Sequence, residues 1–146
     1  MFNTTFANDL IKLLLTGVAI PNIADNAATG PLTNLVIGLH TADPGPGGTQ
    51  ETSAVAYTGY ARINVPRLAA NWVITNNVAR PSVRLEFGEM TGGVESLATW
   101  MTIGTALTGP GKVLLRGRLT PDIQCRLGVI PAIKAESAIT FVTATV

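Results

Sequence analysis

Turn signals constrain this chain more than any other feature. Asn76-Asn77, Gly92-Gly93, Thr108-Gly109-Pro110-Gly111 and Thr120-Pro121-Asp122 punctuate the sequence after residue 33, and each supplies residues that favour a reversal over a regular element. Between them the hydrophobic period is that of a strand. Leu35, Ile37 and Leu39 alternate with Val36, Gly38 and His40, and Val83, Leu85 and Phe87 alternate with Arg84 and Glu86, so one set faces a core and the other faces away. Further strands are expected at Tyr57 to Val65, Asn71 to Ile74, Leu97 to Ile103, Lys112 to Leu119, Ile123 to Val129 and Ile139 to Val146. About eight strands at this spacing predict an all-β domain, a jelly-roll-like β-sandwich or a barrel.

The N-terminus follows a different period. Phe6, Leu10, Leu13 and Leu14 fall on one helical face, Thr4 or Thr5 is placed to cap it, Asp9 suits its positive end and Gly17 ends it. An amphipathic helix over residues 1–17 is therefore expected. Pro21, Asn22, Asp25, Asn26, Gly30 and Pro31 make 18–33 an irregular connection, and 34–146 is the β domain. With 146 residues the chain reads as a single domain, 1–146, large enough to bury roughly 70% of its extended surface.

Charge is scarce. Only 13% of residues are Asp, Glu, Lys or Arg, against about 25% in a typical domain. A free monomer relies on charge to stay dispersed, so a chain this poor in it, with mean hydropathy +0.35, is expected to cover part of its surface with other subunits, as a dimer or trimer. The net charge of +1 is unevenly spread, −3 over residues 1–61 and +4 over the rest. It gives no general attraction to nucleic acid, and no basic cluster is interleaved with aromatics.

Chemistry is hard to find in these residues. His40 is the only histidine and Cys125 the only cysteine, which removes an intrachain disulfide and leaves no G-x-S-x-G elbow or ligand set for a metal. The bland role for His40 is a bond to backbone at a strand end. Glycine-bearing stretches at Gly45 to Gly48, Gly92-Gly93 and Gly104 to Gly111 lack the Gly-Lys-Ser/Thr of a phosphate loop and read as turns. No catalytic residue, cofactor or metal is expected, and no small-molecule substrate. The apolar run Leu10 to Ile20 is too short to span a bilayer and contains Lys12. Trp72, Trp100, Tyr57 and Tyr60 make a carbohydrate platform conceivable, although aromatics at strand positions more often pack in a core. Tyr57 and Tyr60 are expected on opposite faces of their strand, one buried and one exposed, unless Gly59 makes a bulge.

The longest loop-like stretch runs from Asp43 to Ser53, and long surface loops carry contacts. Asp43, Pro44, Gly45, Gly47, Gln50 and Glu51 of this loop, together with Phe6, Leu10, Leu13 and Leu14 of the helix, are the candidate subunit contacts. Arg62 and Arg67 join them, facing either a neighbour or their own sheet.

The "LHTADPG" segment at Leu39 to Gly45 and "YTGYAR" at Tyr57 to Arg62 resemble a group of small tailed-bacteriophage virion proteins, labelled tail fibre or capsid decoration proteins. Asn22-Ile23-Ala24-Asp25-Asn26, Pro31 to Leu35, Val65-Pro66-Arg67, Trp72, Gly104-Thr105-Ala106 and Gly128-Val129-Ile130-Pro131 extend the likeness along the chain. The resemblance implies a virion structural protein without catalytic residues, made in the bacterial cytoplasm. A fibre usually shows a shaft, repeats or heptads, and none is seen here. The expectation is therefore a cement protein on the head surface, bridging subunits of the major capsid protein and other copies of itself. A tail or tail-fibre component is the alternative, and a glycan-binding module a more distant one.

Overall fold

The computed structural model describes residues 32–75 and 78–140, together with Asn3, Thr5, Phe6, Asp9, 19–21 and Ile23. Eleven strands account for its regular elements: β1 (Asn34–His40), β2 (Tyr57–Thr58), β3 (Ile63–Pro66), β4 (Trp72–Thr75), β5 (Val78–Pro81), β6 (Leu85–Glu86), β7 (Gly92–Gly93), β8 (Ser96–Gly104), β9 (Val113–Cys125), β10 (Ala132–Ile133) and β11 (Ile139–Thr140). The backbone of the domain is an antiparallel four-stranded sheet in the order β3-β1-β8-β9. Around it lie a three-stranded sheet β11-β5-β4 and two pairs of two-residue strands, β10-β6 and β2-β7.

Strand β1 is central and buried from Val36 to His40 on both faces. One face enters the core, where Ile37 and Leu39 join Tyr57, Leu85, Phe87 and Met90. The other carries Gly38, where an added Cβ would meet the Thr102 hydroxyl at 3.3 Å, His40 Nε2 at 3.5 Å and Arg62 Cγ at 3.7 Å. The alternation read along this strand thus separates an apolar layer from a polar one.

The sheets are open, which corrects the expected sandwich, jelly roll or barrel. Closure needs every strand paired on both sides, whereas the described strands fall into four separate sheets, with lengths from the 13 residues of β9 to pairs of two. The cause is local. Gly92-Gly93, expected as a plain turn, pairs with Tyr57 and Thr58 for two residues only, because Gly93 takes φ +98° and ends the ladder. Thr120-Pro121-Asp122, also expected as a turn, is carried inside β9, so two expected strands are one. Among the described residues β9 pairs only with β8, and an edge strand tolerates a proline because no inward N–H is lost.

No α-helix is among the described elements; the sole helical element is the 3₁₀ turn Ala69–Asn71. The amphipathic helix expected over residues 1–17 falls mostly outside the described residues. Leu10, Leu13 and Leu14 lie outside the described residues. Thr5, Phe6 and Asp9 have helical backbone, too few positions to define an element. Asn3 makes a capping-type bond, its Oδ1 accepting from Thr5 N–H at 2.9 Å. Asn3 N–H bonds Leu114 O at 3.5 Å and Asp9 pairs with Lys112, which ties this segment to the start of β9.

The two tyrosines of "YTGYAR" both turn inward, against the expectation that one is exposed. Gly59 is the reason. With φ +103° it breaks the two-residue alternation, so the Tyr57 and Tyr60 rings meet edge to face at 5.4 Å and Tyr60 stacks on Phe87 at 6.0 Å. Tyr57 Oη donates to Gly88 O at 2.8 Å, and Leu39 N–H donates to Tyr60 Oη at 2.8 Å. An alanine Cβ at position 59 would lie 2.1 Å from Glu89 O. Gly59→Ala is therefore expected to cost about 3 kcal/mol in urea unfolding, from a disfavoured backbone plus a backbone clash. Gly47→Ala, with nothing within 4 Å of its Cβ, is the control and should leave the midpoint unchanged.

Candidate functional site

The loop from Thr41 to Ser53 leaves β1 at His40 and is held at three points. The first is His40 itself, fully buried. Its Nδ1 lies 2.8 Å from Thr52 O and its Nε2 2.8 Å from the Thr102 hydroxyl. A carbonyl can only accept, so Nδ1 carries the proton and Nε2 accepts from Thr102. Burial lowers the imidazole pKa, the Thr52 carbonyl opposes this, and the nearby Arg62 charge lowers it further, so the ring is neutral near pH 7. Both nitrogens are occupied in fastening the loop to β8.

The second point is Asp43. Its Oδ1 accepts from Gly45 N–H at 2.8 Å, closing the Asp-Pro-Gly turn, and both oxygens accept from Arg116 Nη1. Slight burial raises the carboxyl pKa, but the Gly45 N–H and the Arg116 guanidinium outweigh it and hold the group below its ordinary range. Arg116 also lies over the Trp100 ring, 5.6 Å from its centroid. The turn is thereby pinned to β9.

Gln50 is the third point and, like His40, fully buried. Its Nε2 donates to Val36 O at 3.1 Å, and its Oε1 accepts from Thr105 N–H and Ala106 N–H, each at 2.9 Å. Two glycines make room for the amide. A Cβ on Gly104 would lie 2.3 Å from Gln50 Cδ, and one on Gly111 would lie 2.6 Å from Gln50 Oε1. Arg62 closes the cluster from the "YTGYAR" side, donating to Ala106 O at 3.0 Å, Gly109 O at 2.8 Å and Gln50 O at 2.8 Å. A guanidinium, with five N–H donors in a fixed fork, suits three converging carbonyls.

The candidate contact residues thus separate into two groups. Gln50, Pro44 and Arg62 are turned into the subunit, whereas Asp43, Gly47 and Glu51 are exposed, as is Arg67, which donates to Leu32 O at 2.7 Å. Gly45 holds the turn at φ +78°. Phe6 lines an apolar hollow of about 370 Å³ with Ile23, Leu35, Ile74 and Leu114. Leu10, Leu13 and Leu14 fall outside the described residues. Among the described residues no three His, Cys, Asp or Glu side chains gather as a metal set, and no described helix is long and apolar enough to cross a membrane. Tyr57 and Tyr60 belong to the core region, so the four aromatics do not form one carbohydrate platform. Thr102 and the Arg116–Trp100 stack were not singled out from sequence. The signal for the Gln50 cradle was the pair Gly104 and Gly111 flanking a turn.

Two outcomes follow. Gln50→Ala should lower unfolding free energy by about 2 kcal/mol, since it removes the acceptor of the Ala106 N–H and the bond to Val36 O, while Thr105 N–H keeps Lys112 O; a guanidinium melt measures it. For His40 the folded pKa lies below the unfolded value of about 6.5, so the unfolded chain binds the proton first. Stability is full above about pH 6.5 and falls as pH drops toward the folded pKa. In His40→Gln that slope should be absent, read from denaturant midpoints between pH 5 and 8.

No curated protein matches the chain. The sequence model of the phage family described as "Podophage GP4 fiber I protein gp80" matches residues 1–140, nearly the whole of a β-rich chain whose conspicuous motif is a loop anchored by its own polar residues. This protein belongs to that podophage fibre protein family.

Proposed function

We propose that the chain is a structural subunit of the podophage particle, built into a fibre-type assembly by contacts with further copies of itself and with neighbouring virion proteins. The observation that carries this reading is the occupation of the candidate site from within. His40, Asp43, Gln50 and Arg62 direct their polar atoms at this chain's own backbone and side chains. What the loop offers the outside is a fixed shape with Asp43, Gly47 and Glu51 on it, suited to docking and not to turnover. The low charge content supports assembly, as does the series of large apolar side chains left on the surface, including Val94, Ile74 and Leu127. The reading assigns no catalytic step, cofactor or nucleic acid to the chain, and it places the working protein in the virion after synthesis in the bacterial cytoplasm.

Capsid decoration is the second reading. It is favoured by the form of the described domain, a set of short open sheets whose longest strand has 13 residues, which suits a clamp over subunits of a major capsid protein better than an extended shaft. Such a clamp stabilises the shell because it binds only the assembled state.

Copy number and position in purified particles separate the two. Quantitative mass spectrometry and gold labelling should find tens of copies or fewer, at the tail, for the fibre reading. Hundreds of copies over the head would replace it with decoration. Absence from the particle would contradict both.

A further inference from the structure

One end of the domain displays five large apolar side chains on two adjoining segments, joined where Leu127 N–H bonds Glu95 Oε1 at 3.4 Å. Val94 is 81% exposed and Leu127 65%, with Leu97, Val129 and Ile130 each over 40%. These are not loose ends. Met90 N–H bonds Val129 O at 3.0 Å, Gly128 N–H bonds Met90 O at 2.9 Å and Val129 N–H bonds Arg126 O at 3.0 Å, while Met90, Phe87 and Pro131 are fully buried. A rigid platform thus holds the apolar groups outward, which lowers the ordering cost of docking. Beside them is a shallow hollow of about 270 Å³ between Leu97, Ser96, Gln124, Glu95 and Arg126.

We infer that this end is a homotypic contact, covered in the assembled protein by the same surface of a second copy of this chain. The inference rests on the proposed assembly role and names its surface. Two observations select a second copy. The rim of the surface carries both signs, with Glu95 and Arg126 facing each other across 3.6 Å while each side chain is more than half exposed, so the pair can be exchanged between copies without leaving a charge unmatched. The apolar area of the surface, on the order of several hundred Å², is the central part of the roughly 800 Å² per partner that a stable interface buries. A membrane is a poorer partner, because Glu89 and Glu95 at the rim oppose anionic headgroups.

Sedimentation of the full chain tests this. The wild-type protein should self-associate, and Val94→Asp/Leu127→Asp should weaken association at least tenfold with an unchanged circular dichroism spectrum. Leu107→Asp, at another exposed apolar position, should associate like wild type. The charge pair gives an independent readout. Glu95→Arg and Arg126→Glu chains should each associate poorly alone and should associate when mixed, because each contact then joins an arginine to a glutamate. A wild-type chain that stays monomeric at roughly 100 μM, or swapped chains that fail to associate on mixing, would overturn the inference. Neither result bears on the virion reading, which is decided by the presence and number of copies in particles.

Discussion

The side-chain amide of Gln50 is the interaction on which the remainder of the loop architecture depends. It joins two segments that are far apart in sequence, β1 through Val36 O and the turn after β8 through the Thr105 and Ala106 amides, while the backbone carbonyl of the same residue accepts from Arg62. A buried amide is costly unless satisfied and specific once it is. Here the satisfied geometry admits one placement of the loop, because Gly104 and Gly111 leave space for the Gln50 side chain and for nothing larger on their own backbones. His40 and Asp43 then fix the loop's two shoulders against β8 and β9. Rigidity of an exposed loop is useful to a protein that must present the same contour in every copy of an assembly.

The two faces of the central sheet divide the labour. The apolar face holds the core built on Ile37, Leu39 and Phe87, and stability comes chiefly from there. The opposite face carries a polar layer of His40, Thr102, Arg62 and Gln50, each bonded within the chain. This layer closes on itself, which fixes the contour of the loop above it.

Strands β1 and β8 were legible because their residues obey a simple period. Leu35 to His40 and Leu97 to Ile103 each differ from the structure by a residue at their ends, against Asn34–His40 and Ser96–Gly104. What was not legible depends on partners distant in sequence. Gly92-Gly93 becomes a strand only because Tyr57 and Thr58 lie opposite, and Pro121 stays in a strand only because β9 is at an edge. Likewise the facing of Tyr60 follows from one positive φ at Gly59, which a residue type permits but does not dictate. Gln50 was marked as a candidate from its place in a polar loop. Its inward direction is set by two glycines more than fifty residues away, and no local pattern reports that.

Backbone hydrogen exchange at Ala106 tests the central claim most directly. This amide lies in a connection between strands, where exchange is ordinarily fast, and it donates to Gln50 Oε1, whereas the neighbouring Thr105 N–H also reaches Lys112 O. If Gln50 pins the loop, the Ala106 amide exchanges as slowly as those of β1 and β8, through global unfolding alone. Rapid exchange at Ala106 in the intact protein would contradict the account.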